Sequence, residues 1–292
     1  MHRGIRILLI ALCLACVLTC AFAENGFITI TTSEDEEAPA ATSAPPAVLT
    51  TPEPTAEPAA TPAVERWCDS QPFAIRHGSR DVKRVAITMD DCYDRGIIRE
   101  IFDFCQDAGV PMTFFPLGDQ LKKKDAELWR AIAASGCEIG SHTNHHSNLP
   151  DMSYGGICIH IYRTQEILDE VLGYHYGMVS LRPPFGHYTD DEGHTIPRIK
   201  KACEKFGYNH VVLWDVSQTH AEQTKKDVKN GSILLFHARK KDMNCIKEMI
   251  PWLLEEGYEL VTVRELLDFP EIEIGPEPYV YPRDAKRSLP PC

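Results

Sequence analysis

The sequence carries no basic excess: 30 Lys and Arg stand against 42 Asp and Glu, a formal net charge of −12. That removes the basic footprint that nucleic-acid binding needs. Residues 24–64 hold no Lys or Arg at all, but seven acidic residues, seven prolines and many Thr and Ala. Such a stretch cannot bury enough apolar surface to fold, and it reads as a disordered, semi-extended Thr/Ala/Pro/Glu-rich linker. After residue 23 there is no C-x-x-C pair, so a cysteine-rich zinc site is not signalled. No internal repeat is present.

Residues 1–23 read as a signal peptide. Arg3 and Arg6 form a positive start, Ile7 to Ala23 is uncharged, and Ala21-Phe22-Ala23 is an A-x-A cleavage site. The rival reading is an uncleaved anchor, because 17 uncharged residues reach the lower end of the ~17–25 that span a bilayer. Membrane contact is expected only in that case. Export and a stalk-like linker point to a secreted, cell-surface or cell-wall location.

Residues 65–292 hold 28 basic and 35 acidic residues, net −7, and are long enough to bury a large core as one unit. A monomer is expected. Eight cysteines lie there, and export permits disulfides, but spacing does not reveal pairing. A Cys68–Cys292 bond is one candidate, since chain termini of a domain often lie close.

From Val85 onward apolar runs alternate with helical periodicity. The pattern predicts strands at 85–89, 112–117, 137–141, 178–182, 209–214, 232–236 and 258–263. Helices are predicted at 96–108, 124–134, 159–172, 195–206, 242–256 and 263–268, with the 215–231 crossover unassigned. Strands alternating with helices imply βαβ units and an α/β fold on a parallel sheet. Seven such strands fit a closed or nearly closed barrel better than an open sheet, although periodicity does not decide closure. The domain is placed at 65–270, with a Pro-rich C-terminal tail at 271–292.

Five strands deliver polar groups to one end, the face on which barrels carry their chemistry. The first ends in Asp90-Asp91, and the third in Ser141-His142-Thr-Asn-His145-His146. The fourth runs into Arg182-Pro-Pro-Phe185-Gly186, the fifth ends at Trp214-Asp215, and the sixth at His237. His142 and His146 are i and i+4, so one helical turn would place both imidazoles on one side. With one carboxylate they make a metal set that leaves a position open for water. His145 is a geometric rival to His146. Arg182 is suited to hold a carboxylate, the Phe185 N–H to face an oxyanion, and His237 to protonate a leaving amine.

Thr88-Met-Asp90-Asp91, His142-Thr-Asn-His-His146, Arg182-Pro-Pro-Phe-Gly186 and Leu235-Phe-His237 resemble four ordered motifs of the NodB-type polysaccharide deacetylases, carbohydrate esterase family 4. The resemblance runs from about 83 to 265. It implies a distorted (β/α)7 barrel and a metal-dependent hydrolase of amide, not peptide, bonds acting on an acetylated polysaccharide. It implies Asp90 as base and Asp91, His142 and His146 as ligands of a divalent ion: zinc foremost, cobalt or nickel as alternatives. Arg182 would orient Asp90, His237 would be the general acid, and Leu235 would line the acetyl pocket. Peptidoglycan N-acetylglucosamine is the favoured substrate. An O-acetyl esterase on a xylan-like glycan and a non-catalytic glycan-binding module are the alternatives.

The departures are specific. Met89 and Cys92 stand where the family usually has Phe and Gly, and Phe185 where it has Tyr. The family's Asp-x-x-Asp-Trp motif is missing; the segment reads Trp214-Asp-Val-Ser217-Gln-Thr-His220-Ala221. That leaves open the partner of Arg182, for which Asp215 is a candidate substitute, and one groove wall, where Trp214 stands. Cys92 is read as a buried inert thiol rather than a ligand.

Overall fold

The computed structural model describes residues 65–278. The predicted signal peptide, the linker, Cys292 and most of the C-terminal tail lie outside the described residues. Among the described residues no helix is long and apolar enough to cross a membrane, and seven cysteines are buried.

The strands are β1 (Ala74–Ile75), β2 (Arg84–Asp91), β3 (Thr113–Pro116), β4 (Glu138–Ile139), β5 (His175–Tyr176), β6 (Val211–Val212), β7 (Ile233–His237), β8 (Glu259–Leu260) and β9 (Ile274–Gly275). The helices are α1 (Arg95–Ala108), α2 (Ala126–Ala134), α3 (Tyr154–Leu172), α4 (Pro197–Lys205), α5 (Ala221–Asp227), α6 (Lys240–Glu255) and α7 (Val263–Leu267). A parallel sheet runs β4-β3-β2-β7, with β8 added against the start of β2. Single bridges carry it round: Ser141 to Leu181, then Val212 N–H to Leu181 O at 2.8 Å, then Val216 to Leu234 on β7. The result is a distorted (β/α) barrel with parallel positions at β2, β3, β4, Leu181, β6, β7 and β8.

β2 is buried on both faces and therefore reads as an unbroken apolar run. Its odd residues, Val85, Ile87 and Met89, pack with Ile98 and Ile101 of α1. Ala86 faces the other way, among Phe115, Val212 and Ile233. β7 follows the same rule: Leu234 and Phe236 join the first cluster and Ile233 the second. Thr88, Asp90, Leu235 and His237 thus fall on the inner positions of their strands.

The helices start and stop where side chains satisfy their ends. Asp94 caps α1 by accepting from Ile97 N–H, and Gly109 at φ 66° closes it. Ser153 caps α3, lengthening the predicted 159–172 helix upstream to Tyr154. A seven-residue helix, α5, occupies part of the unassigned 215–231 crossover. The predicted 178–182 strand is reduced to the bridge at Leu181. Two local causes shorten it. Met178 N–H donates to the Gln165 side chain instead of a ladder. After Arg182, Pro183 and Pro184 have no N–H to continue one. The nearby regular pairing is antiparallel, between β5 and β9 in the tail.

Candidate metal and catalytic site

Neighbouring residues of a strand point to opposite faces, so Asp90 and Asp91 should part company. They do not, because the chain turns between them. Cys92 N–H donates to Asp90 O at 2.7 Å, closing a three-residue turn about Asp91, whose φ is 65°. A non-glycine residue held there is strained, a feature that clusters at functional sites. The turn brings Asp91 round to the histidine loop, with Oδ1 at 3.5 Å from His142 Nε2 and 3.4 Å from His146 Nε2.

The histidine loop is not a turn of helix. Thr143 has φ 66°, and its hydroxyl donates to His145 O at 2.8 Å. This irregular path, rather than helical i,i+4 geometry, brings His142 and His146 together, their ring centroids 5.2 Å apart. It also separates the rival. His145 turns outward, with Nδ1 at 3.0 Å from Asp119 Oδ2.

His142 is buried, and its Nδ1 lies 2.8 Å from the Arg182 carbonyl oxygen. That oxygen can only accept, so Nδ1 carries the proton and Nε2 presents its lone pair to Asp91 and His146. Burial pushes the His142 pKa down, against the pull of Asp90 and Asp91, which favours the neutral ring a metal requires. Asp91 Oδ1 is buried without a hydrogen-bond donor. One ligand atom from each of Asp91, His142 and His146 falls within 4.8 Å of the others. An orphaned carboxylate oxygen facing two imidazole lone pairs is a donor set that a divalent cation fits.

Asp90 is held differently. Its Oδ1 accepts from Arg182 Nη1 at 2.6 Å, while Oδ2 lies 3.8 Å from His142 Nε2. Arg182 is fully buried. Nη1 also donates to Thr88 Oγ1 at 2.7 Å, Nη2 to Leu213 O at 3.1 Å and Nε to Val212 O at 3.3 Å. Its guanidinium lies 4.3 Å from the Phe115 ring centre and 5.7 Å from that of Trp214. Beyond Asp90, two carbonyls, a hydroxyl and two rings therefore contact Arg182, and the second carboxylate whose charge it feels is the buried Glu138. Asp215 is not its partner: that carboxylate accepts from Arg80, Ser232 and Ile233 N–H.

Phe185 sits in the Pro184–Gly186 turn at φ 61°, half exposed, its ring 4.3 Å from that of His146. Gly186 and His187 N–H groups close that turn onto Pro183 O and Pro184 O, and the Phe185 N–H takes no part. Trp214 backs the turn so closely that a Cβ on Gly186 would come within 3.0 Å of its ring. Leu235 is buried and pairs in register with Thr88. His237 pairs with Asp90 in register. Its pKa is raised, first by the Asp242 carboxylate and further by Asp90 and Asp91, against burial and Arg239. Asp242, in the first turn of α6, has no counterpart in the sequence reading. Cys92 is buried beside the pair, outside the metal set. Burial, then the charges of Asp90 and Asp91, push its thiol pKa far up.

Comparison with known proteins gives concordant matches. Residues 77–211 match the family model described as polysaccharide deacetylase. A peptidoglycan-N-acetylglucosamine deacetylase of Bacillus cereus is 27% identical over 211 residues, 68% of this chain and 72% of that protein. The peptidoglycan-N-acetylmuramic acid deacetylase PdaC of Bacillus subtilis is 27% identical over 194 residues, covering 63% of this chain but 38% of that protein. A solved peptidoglycan N-acetylglucosamine deacetylase superposes with a TM-score of 0.58 at 25% identity, covering 67% of this chain and 92% of that one. A carbohydrate esterase family 4 pseudoenzyme from Bacillus anthracis superposes at 0.59 and 22% identity, covering 68% and 70%. That last likeness bears on the fold alone.

Proposed function

Because the chain belongs to the NodB-type polysaccharide deacetylases, carbohydrate esterase family 4, we propose that it hydrolyses N-acetyl groups of a cell-wall polysaccharide in a metal-dependent reaction. The substrate we favour is peptidoglycan N-acetylglucosamine. One observation carries this reading: an orphaned Asp91 oxygen and the His142 and His146 Nε2 atoms converge beside an Asp90 held by a buried arginine.

Asp91, His142 and His146 hold a divalent ion, zinc in the first instance. When bound there, it supplies Lewis acidity toward an acetyl carbonyl and lowers the pKa of water to about 7. Asp90 is the base. Arg182 occupies its Oδ1, fixing the carboxylate and leaving Oδ2 on the histidine side to take a proton from the attacking water. The Phe185 N–H faces the carbonyl oxygen as it gains negative charge. His237 protonates the departing amine, and the Asp242 carboxylate raises its pKa, which favours the protonated ring that an acid needs. Leu235 packs against the acetyl methyl, and Trp214 forms a wall of the groove. A substrate of this kind lies outside the cytoplasm, in keeping with the expected export.

The names of the B. cereus and B. subtilis relatives support peptidoglycan over xylan. The test is acetate release by zinc-reconstituted protein from N-acetylated peptidoglycan fragments and from O-acetylated xylan. Release from the fragments supports the reading, and release from xylan alone favours the esterase. Binding without release from either, with metal supplied, favours a non-catalytic glycan-binding module.

A further inference from the structure

Asp242 is a fully buried carboxylate placed against the proposed acid. Its Oδ2 accepts from the His237 backbone N–H at 2.9 Å and lies 3.7 Å from His237 Nδ1. Its Oδ1 is buried without a hydrogen-bond partner. An acidic residue in the first turn of a helix usually serves the helix's own N–H groups. Asp242 does not: α6 has no side-chain cap, and the bond goes upstream, past the N-cap Arg239, to the end of β7. A buried, half-satisfied carboxylate destabilises the fold, which asks for a functional reason. The one imidazole beside it is the one aimed at chemistry.

We propose that Asp242 is the positioning residue for His237, holding the imidazole in the Nδ1–H tautomer and in the orientation that presents Nε2 to the reacting amide. This rests on the reading of His237 as general acid. Asp242 can then supply from the helix after β7 a third carboxylate for the site, beside Asp90 and Asp91, which the missing Asp-x-x-Asp-Trp segment does not. The burial of Asp242 pushes its pKa up, yet the His237 imidazole and N–H outweigh that and hold the carboxyl down, so it faces the ring as an anion. Asp90, Asp91 and Arg239 are the other charges felt by His237. They adjust its charge; Asp242 is the group beside Nδ1.

The test is Asp242→Asn in the full-length, zinc-loaded chain. Oδ2 faces both the His237 N–H and Nδ1, so the amide oxygen that keeps the backbone bond still faces the ring, and what the variant removes is the negative charge beside Nδ1. Turnover of an N-acetylated glycan is expected to fall by roughly 10²-fold or more, with KM and zinc content unchanged. Hydrolysis of p-nitrophenyl acetate, whose phenolate leaves without a proton, is expected to stay within about threefold. Equal losses on both substrates would overturn the proposal, because general damage would explain them. Imidazole ¹⁵N spectra of the wild-type chain, with His237 assigned through His237→Gln, keep the proposal open to refutation if the variant does not fold. A neutral ring protonated on Nδ1 supports it, and one protonated on Nε2 overturns it. If no acetylated glycan is a substrate, the functional reading falls, while the tautomer still decides for or against the pairing.

Discussion

The Arg182–Asp90 pair allows a prediction whose sign runs against intuition. The side chains are 0% and 4% exposed and meet at 2.6 Å. Replacing Arg182 by Met removes the cation and strands Asp90 beside Asp91, two carboxylates left without it. Breaking a buried pair in this way costs about 3–5 kcal/mol. The Val212 and Leu213 carbonyls lose their donors as well, each worth about 1–3 kcal/mol if no water replaces it. The total is a large fraction of the ~5–15 kcal/mol by which a domain is stable. At ~2–4 °C per kcal/mol for a domain of this size, the broken pair alone lowers the Tm of Arg182→Met by roughly 6–20 °C, and the two carbonyls add to that. Asp90→Asn strands the Arg182 cation in turn, but it should cost less than Arg182→Met, since an amide oxygen still accepts from Nη1 and the Val212 and Leu213 carbonyls keep their donors. The double variant removes the stranded anion, so it should be more stable than Arg182→Met alone, with a coupling of about 2 kcal/mol. Urea unfolding of the four proteins in chelator at neutral pH measures the cycle. Additivity within about 0.5 kcal/mol, or a double variant less stable than Arg182→Met, would refute the account of Arg182 as a buried partner of Asp90.

Three further outcomes follow from the same geometry. His142→Ala should lose bound zinc, read by elemental analysis after dialysis; unchanged content would remove His142 from the metal set. Turnover should fall as pH rises through the His237 pKa, which lies above 6.5 because Asp242, Asp90 and Asp91 favour the charged ring. The acid must be protonated to work, so the pH profile of kcat should keep its basic limb above 6.5, and a limb below that would contradict the assignment. Cys92→Gly should keep zinc content and turnover, because the thiol is not a ligand. It also places glycine at a φ of 59°, relieving about 1–2 kcal/mol of backbone strain against the loss of a buried sulfur. A loss of zinc in this variant would bring Cys92 into the site.

What could be read from the sequence was what periodicity and strand ends encode. Val85 to Met89 is buried on both faces and had to be apolar, so β2 was legible, as were helices with a cap and a closing glycine such as α1. The polar groups at the strand ends were legible because they break that pattern. What escaped was set by the backbone rather than by side-chain type. The turn at Asp91 uses a left-handed φ at a non-glycine residue, which no residue choice announces. The decision between His145 and His146 hangs on Thr143, also left-handed, and not on helical spacing. The environment of Arg182 is built from carbonyls and ring faces, which leave no motif. Asp242 was hidden because its partner lies across a loop on a different element.

The central claim, that a metal held by Asp91, His142 and His146 works with Asp90 as base, meets its most direct test in Asp90→Asn. Zinc content and acetate release from N-acetylated peptidoglycan fragments are measured on the same zinc-reconstituted preparation, beside the wild type. The account predicts wild-type zinc content and a turnover lower by roughly 10²–10⁴-fold, the range a positioned base contributes. Full acetate release by the zinc-loaded variant would contradict it.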